Sequence, residues 1–257
     1  MRHPAALAAA VALALGLAQP LPAAEGAKAE AAAKAETNPL FAKSPLPYQF
    51  PQFDKIKDSD YLPAFEKGMA ENRAEIEAIA NNAEAPSFDN TILALERSGA
   101  LLSRVSTVFF GLSGANTNDA MQKIQAEVAP KLAAHGDRIV LDGKLFARIE
   151  AIHAKRDALG LDAESKRLVE RYHTDFVRAG AKLADADKTK LKAINAEMAT
   201  LGTQFSQNLL KETNAAALVV DSKDDLKGLS EGAIKTAAEA AKARKLDGKY
   251  VIPLLNT

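Results

Sequence analysis

The stretch Asp60-Tyr61-Leu62-Pro63-Ala64-Phe65-Glu66-Lys67-Gly68-Met69-Ala70-Glu71-Asn72-Arg73-Ala74-Glu75-Ile76-Glu77-Ala78-Ile79 sets the grammar of the chain. Its apolar members Leu62, Phe65, Met69, Ile76 and Ile79 share one face of a 3.6-residue helix. Pro63 falls in the first turn counted from Asp60, where a missing N–H costs little, and Asn81-Asn82 before Pro86 stop the helix. An amphipathic helix of this kind is stable only against a second apolar surface.

That surface is available downstream, because the same period continues. Ile92, Leu95, Leu102, Val105, Phe109 and Leu112 predict a second helix, opening after Ser87 and closing at Gly111 to Gly114. Asn116 to Asp119 offer caps for a third, with Ile124, Val128, Leu132 and Ile139 on its stripe and Pro130 as a kink; Leu141-Asp142-Gly143 breaks it. Leu145, Phe146, Ile149, Ile152 and Leu159 predict a fourth ending at Gly160, and Leu168, Tyr172 and Phe176 a fifth ending at Gly180. The longest segment, capped by Asp185 or Asp187, carries Leu191, Ile194, Met198, Leu201, Phe205 and Leu209 three and four apart. Its seam is shorter than the three or four clean heptads of a coiled coil, so it is expected to pack within an intramolecular bundle.

After Asn214 the pattern changes. Ala217 to Val220 and Tyr250 to Leu255 are short apolar runs rich in β-branched residues, separated by an Ala-rich helix that Ser230 caps and that runs to about Arg244. The fold class is therefore mainly α, a multi-helix region with a small strand-helix-strand element near its C-terminal end. Two strands alone are marginal in water and are expected to want a third.

Upstream, the chain stops looking like a fold. Met1-Arg2-His3-Pro4 is a short basic start, and Ala5 to Ala18 is a small, apolar run too short to span a bilayer as a helix but suited to an export signal. Cleavage after Ala18 or near Ala23 or Ala24 fits equally, and the signal is assigned to residues 1–24. Residues 25–37, almost all Ala, Glu and Lys, read as a linker that buries nothing. The run from Asn38 to Pro51, with Pro45, Pro47 and Pro51, is expected to lie extended over a surface, with folding starting near Phe53 and the helical region occupying 38–257.

Composition excludes several functions. Lys+Arg and Asp+Glu number 33 each, which removes the cationic excess that nucleic-acid and acidic-membrane binding need. The absence of Cys removes disulfides, thiolate metal sites and cysteine nucleophiles from this chain. His135, His153 and His173 stand apart in sequence, and none belongs to a pair of His four apart with a Glu after the first, the spacing that aims two imidazoles at one zinc. A composite site of His153, His173 and carboxylates such as Glu150 or Glu170 is the one arrangement left open, against the plainer reading of three boundary histidines. Ser106, Ser113 and Ser206 lack a nucleophile-elbow frame, and the turn Gly111 to Asn116 lacks the Gly-Lys-Ser/Thr ending of a phosphate loop. Phe109 belongs to a core stripe, leaving Phe110 unassigned. No catalytic, cofactor-binding or metal residue is assigned.

The order of phrases is more telling. Leu46-Pro47-Tyr48, Phe53-Asp54-Lys55-Ile56-Lys57, Tyr61-Leu62-Pro63-Ala64-Phe65-Glu66, Phe88-Asp89-Asn90-Thr91-Ile92, Ala94-Leu95-Glu96-Arg97-Ser98-Gly99 and Phe205-Ser206-Gln207-Asn208-Leu209-Leu210 follow one another along 38–257. This series resembles the N-terminal portion of bacterial peptidyl-dipeptidases, members of the thimet oligopeptidase family of zinc metallopeptidases. The resemblance implies a nearly all-helical ellipsoid split by a deep channel, with zinc held in the C-terminal part by a His-Glu-x-x-His helix and a further Glu. The chain stops before that helix, so it is expected to be an inactive N-terminal fragment that binds no zinc and forms part of the channel wall. The intact enzyme is expected to release C-terminal dipeptides from short peptides in the periplasm, by attack of zinc-bound water with the motif's Glu as base. Its implied partners are peptides and the missing catalytic region, with no nucleic acid and no membrane after signal removal. Endopeptidase action within the same family, or a non-catalytic exported helical protein that binds peptides or a partner, are the alternatives.

Overall fold

A computed structural model describes residues 38–254; the expected signal (1–24) and linker (25–37) lie outside the described residues. A compact unit begins at Pro39. It is mainly helical, as the periodicity requires. Helix α1 (Asp58–Ala80) begins two residues earlier than expected, with the Asp60 carboxylate accepting the Lys57 N–H at 2.8 Å. Pro63 therefore sits in the second turn, where it removes one helix hydrogen bond. The chain before α1 also contributes more than expected: Leu40 is buried in the core, and Arg104 donates to the Leu40 and Phe41 carbonyls at 3.1 and 3.0 Å.

The expected second helix is two pieces. A π-helical turn (Phe88–Leu93), capped reciprocally by Ser87 and Asn90, runs into the short α2 (Ala94–Arg97), and α3 (Ala100–Ala115) follows. The break falls at Gly99, whose φ of 72° is left-handed and whose N–H donates to the Glu75 carboxylate at 2.6 Å. With the chain re-aimed there, α3 continues through Gly111 and Gly114 instead of closing at them. It crosses α1 closely: a Cβ on Gly68 would stand 2.9 Å from the Leu102 Cα, so only glycine permits the approach.

Helices α4 (Asp119–Val140), α5 (Gly143–Lys155) and α6 (Ala163–Arg178) each start at a side-chain cap, from Asn118, Asp142 and Asp162. Helix α4 runs unbroken through Pro130, and α5 ends at Lys155, before Leu159 and Gly160. Two apolar cores result, and α1 spans both. Its Tyr61, Phe65 and Met69 meet Val105 and Phe109 of α3 and Met121 and Val128 of α4. Its Ile76 and Ile79 meet Ile92 of the π-helical turn, Leu95 of α2, Ile149 and Ile152 of α5, and Val169 and Phe176 of α6.

The long helix α7 (Asp185–Ala215) departs from expectation in its rotation. It lies along α4 by its polar and small face, with the Asn195 amide donating to Asp137 at 2.7 Å, Gln207 to the Gln122 carbonyl at 2.9 Å and Lys188 to the Leu141 carbonyl at 3.2 Å. Thr203 is its buried residue, and Ile194, Met198, Leu201, Phe205 and Leu209, expected inside a bundle, face outward. The reason is local: the α4 face that α7 meets offers carbonyls and the buried Asp137, which amides satisfy and leucines do not.

Strand β1 (Leu218–Val220) pairs antiparallel with β2 (Tyr250–Ile252), Val219 opposite Val251. Helix α8 (Glu231–Ala243), capped by Ser230, covers β2, burying Ile234, Ala237, Ala241 and Val251. This is the expected strand-helix-strand element, and among the described residues no third strand joins it.

Candidate functional site

The three helical histidines occupy two places. His135 on α4 reaches α1, its Nε2 lying 2.8 Å from the Asn72 Oδ1. The Asn72 amide in turn donates toward Glu75 at 3.5 Å, which leaves its oxygen to accept and puts the His135 proton on Nε2. Burial, then the nearby Arg73 and Arg138 charges, hold this imidazole below its ordinary pKa, so it is neutral at pH 7. His135 therefore ties α4 to α1. It shares a groove of about 310 Å³ with Glu66, Arg73, Lys131 and Arg138, where Lys131 is occupied by Glu66 and Glu127 at 2.9 and 2.8 Å.

His153 and His173, twenty residues apart in sequence, meet between α5 and α6. Their rings stack with centroids 3.9 Å apart and planes 5° from parallel, and Phe146 extends the stack at 5.7 Å from His173. Burial leads in depressing both pKa values. Arg156 adds to the effect at His153, against Glu170 and Glu150, while His153 itself and Lys182 add to it at His173. Glu150 is taken up by Lys182 at 2.8 Å and Glu170 by Arg156 at 3.5 Å. The composite arrangement left open by the sequence thus exists as a neighbourhood but not as a chelate. An imidazole binds metal along a lone pair in its ring plane, and two face-to-face rings keep those lone pairs in separate, nearly parallel planes that do not converge on one ion. Among the described residues no group of three or more His, Asp and Glu is placed to hold a metal ion, so no chemical step is assigned to these residues through zinc.

Ser113 on α3 and Ser206 on α7 line one groove of about 240 Å³, together with Phe110, Gln122, Gln125 and Gln207. Neither serine has a histidine beside it in that lining, so neither is activated as a nucleophile. Phe109 is fully buried, as its stripe requires, and Phe110 is 40% exposed at the groove. The sequence reading missed the glutamines, because an isolated Gln on a helix carries no pattern. It missed Arg148 for a different reason. That guanidinium is 7% exposed and donates to Thr91, Asn90 and the carbonyls of Asn82 and Glu84 at 2.8 to 3.2 Å, organising the loop between α1 and the π turn with no carboxylate partner among the described residues. Nothing in its spacing distinguishes it from the solvated arginines.

No family model matches the chain. The individual curated proteins to which it is similar are peptidases, in keeping with the resemblance to the peptidyl-dipeptidases of the thimet oligopeptidase family. In particular, it is 52% identical over 220 residues to dipeptidyl carboxypeptidase of Escherichia coli (strain K12), covering 86% of this chain and 32% of that protein. Dipeptidyl carboxypeptidase of Salmonella typhimurium is likewise 52% identical over 221 residues, and oligopeptidase A of that organism 22% identical over 218, or 85% of this chain and 31% of that protein. The chain spans about a third of the length of the curated relatives it matches.

Proposed function

We propose that the chain is the N-terminal helical region of an exported peptidyl-dipeptidase, which in intact form hydrolyses short peptides and releases dipeptides from their C-termini. The observation that carries this reading is the gap between 52% identity to dipeptidyl carboxypeptidase and 22% to oligopeptidase A over nearly the same span. The intact enzyme would use zinc held by residues outside this chain, and that metal would supply polarisation of the peptide carbonyl and a lowered pKa for a water that becomes the nucleophile on losing its proton. The described helices form wall and scaffold, with the groove of Phe110, Ser113 and Gln207 on their surface. The basic start and apolar run before the linker support export, hence a periplasmic place of action.

Three experiments test this. Reading the gene past the codon for Thr257 should reveal an in-frame His-Glu-x-x-His, and a stop codon in well-assembled sequence counts against the proposal. The longer product should release a dipeptide from a peptide with a free C-terminus and leave its amidated twin intact, whereas equal cleavage of both assigns it to the endopeptidase side. The 257-residue chain alone should neither hold stoichiometric zinc nor cleave either peptide.

A further inference from the structure

The outward face of α7 is the largest feature that the peptidase reading does not absorb. Ile194, Met198, Leu201, Phe205 and Leu209 follow at steps of three and four and are 52%, 65%, 54%, 69% and 56% exposed. One exposed leucine needs no explanation, but five large apolar side chains in register along a single helix form a surface of the kind that marks an interaction. The helix is not free to roll them inward. Its other side is fixed to α4 by Asn195, Gln207 and Lys188, and reversing it would strand the buried Asp137.

A second, independent observation lies just beyond the helix. Among the described residues β1 and β2 pair only with each other, so each keeps an open edge, and Leu218 and Val219 of β1 are 55% and 43% exposed. A two-stranded ribbon with apolar residues outward on both faces is incomplete in water.

The relatives indicate what would cover these surfaces. A continuous 220-residue match within 257 residues spans 38–220 whatever its ends, so α7 and β1 belong to the shared region. In the relatives, about two thirds of the polypeptide lies outside that region. We infer that the Ile194-to-Leu209 face of α7 is the seat on which the remaining, catalytic part of the same longer polypeptide docks, laying its own apolar helical surface across it. This rests on the peptidase reading above and adds to it the residues that join wall to catalytic region. A second copy of this chain fits less well, because the seam is shorter than a self-pairing coiled coil needs and would leave the sheet edges open.

Because these 257 residues hold no cysteine, Met198→Cys and Phe205→Cys each introduce one thiol into this region at an exposed position, whose labelling is read on its own peptide by mass spectrometry. Each should react rapidly with a maleimide in the 257-residue chain. In the protein made from the longer reading frame it should react about tenfold or more slowly, as does a side chain reached only through local opening, relative to Arg167→Cys on α6. Equal rates in the two proteins would overturn the proposal. So would slow labelling of the 257-residue chain itself that speeds up on dilution, which would give the face to a second copy. A reading frame that ends at codon 257 removes the peptidase reading instead, and is seen in the nucleotide sequence before any labelling.

Discussion

The helices α1 to α6 and the helix α7 obey the same periodicity and end in opposite situations. In the first group the apolar stripes are buried: Tyr61, Phe65 and Phe109 form an edge-to-face cluster with centroids 5.0 and 5.3 Å apart, and Ile92, Leu145 and Ile149 close the second core. In α7 the stripe faces out, while amides and a lysine hold the helix in place. The contrast teaches that an amphipathic pattern identifies residues sharing a face, whereas the neighbour decides which face turns inward. Where the neighbour displays aliphatic and aromatic side chains, the stripe is buried. Where it displays carbonyls and a carboxylate, polar side chains dock and the stripe waits for another partner.

The sharpest way to break this comparison is to truncate one phenylalanine in each region. Phe109→Ala removes a fully buried ring and leaves a cavity, so it should cost about 3–5 kcal/mol in urea unfolding of the 257-residue chain. Phe205→Ala, at 69% exposure, should change stability by no more than about 0.5 kcal/mol. A comparable loss at Phe205 would mean that the face is already covered in this chain.

Next in size is Arg148, a buried charged side chain within the first group. Arg148→Leu keeps volume but leaves the Asn82 and Glu84 carbonyls without their donors, and should cost about 2–4 kcal/mol. Arg148→Lys should recover only part of this, because one ammonium cannot reproduce a planar fork spread over Thr91, Asn90 and two carbonyls. Full rescue by lysine would reduce the role to charge alone.

How much of this was legible follows from what each feature depends on. Helix existence, the caps at Asn118 and Ser230, and the strand-helix-strand element rest on local chemistry, which the sequence carries. The split at Gly99 depends on a carboxylate 24 residues away, and the docking of α7 on a carboxylate 58 residues away. Neither can be read from a local window. The stacking of His153 on His173 has the same origin, for separate helices brought the rings together. The peptidase likeness was legible as ordered phrases, while its chemistry was not, since those phrases assign no reacting group by themselves.

A smaller effect tests what holds α7 in its rotation. Asn195→Ala leaves the Asp137 carboxylate, 7% exposed, with a second unmet oxygen, and should cost about 1–2 kcal/mol. Hydrogen exchange should quicken along α7 before it quickens in α1. Uniform quickening would show that α7 and the body unfold as one unit, removing the distinction between the two regions.

The smallest effect concerns the stacked histidines, which join α5 to α6 within the buried group. Both are depressed below the ordinary value of 6.5, chiefly by burial and then by neighbouring charge, whereas in the unfolded chain they return to it. Below that value the unfolded state binds more protons than the folded one, so the contribution is full above about pH 6.5 and is lost as pH falls through it toward the folded values. The groups facing the pair are Glu150 and Glu170, which favour protonation, and Arg156 and Lys182, which oppose it, the carboxylates being engaged by those same cations. The thermal midpoint should therefore fall modestly between about pH 7.5 and about pH 5, and His153→Gln with His173→Gln should flatten part of that slope. His135, also depressed and tied to Asn72, contributes to what remains. An unchanged slope in the double variant would mean that the stack carries no proton linkage and that α5 and α6 are joined by their aliphatic core alone.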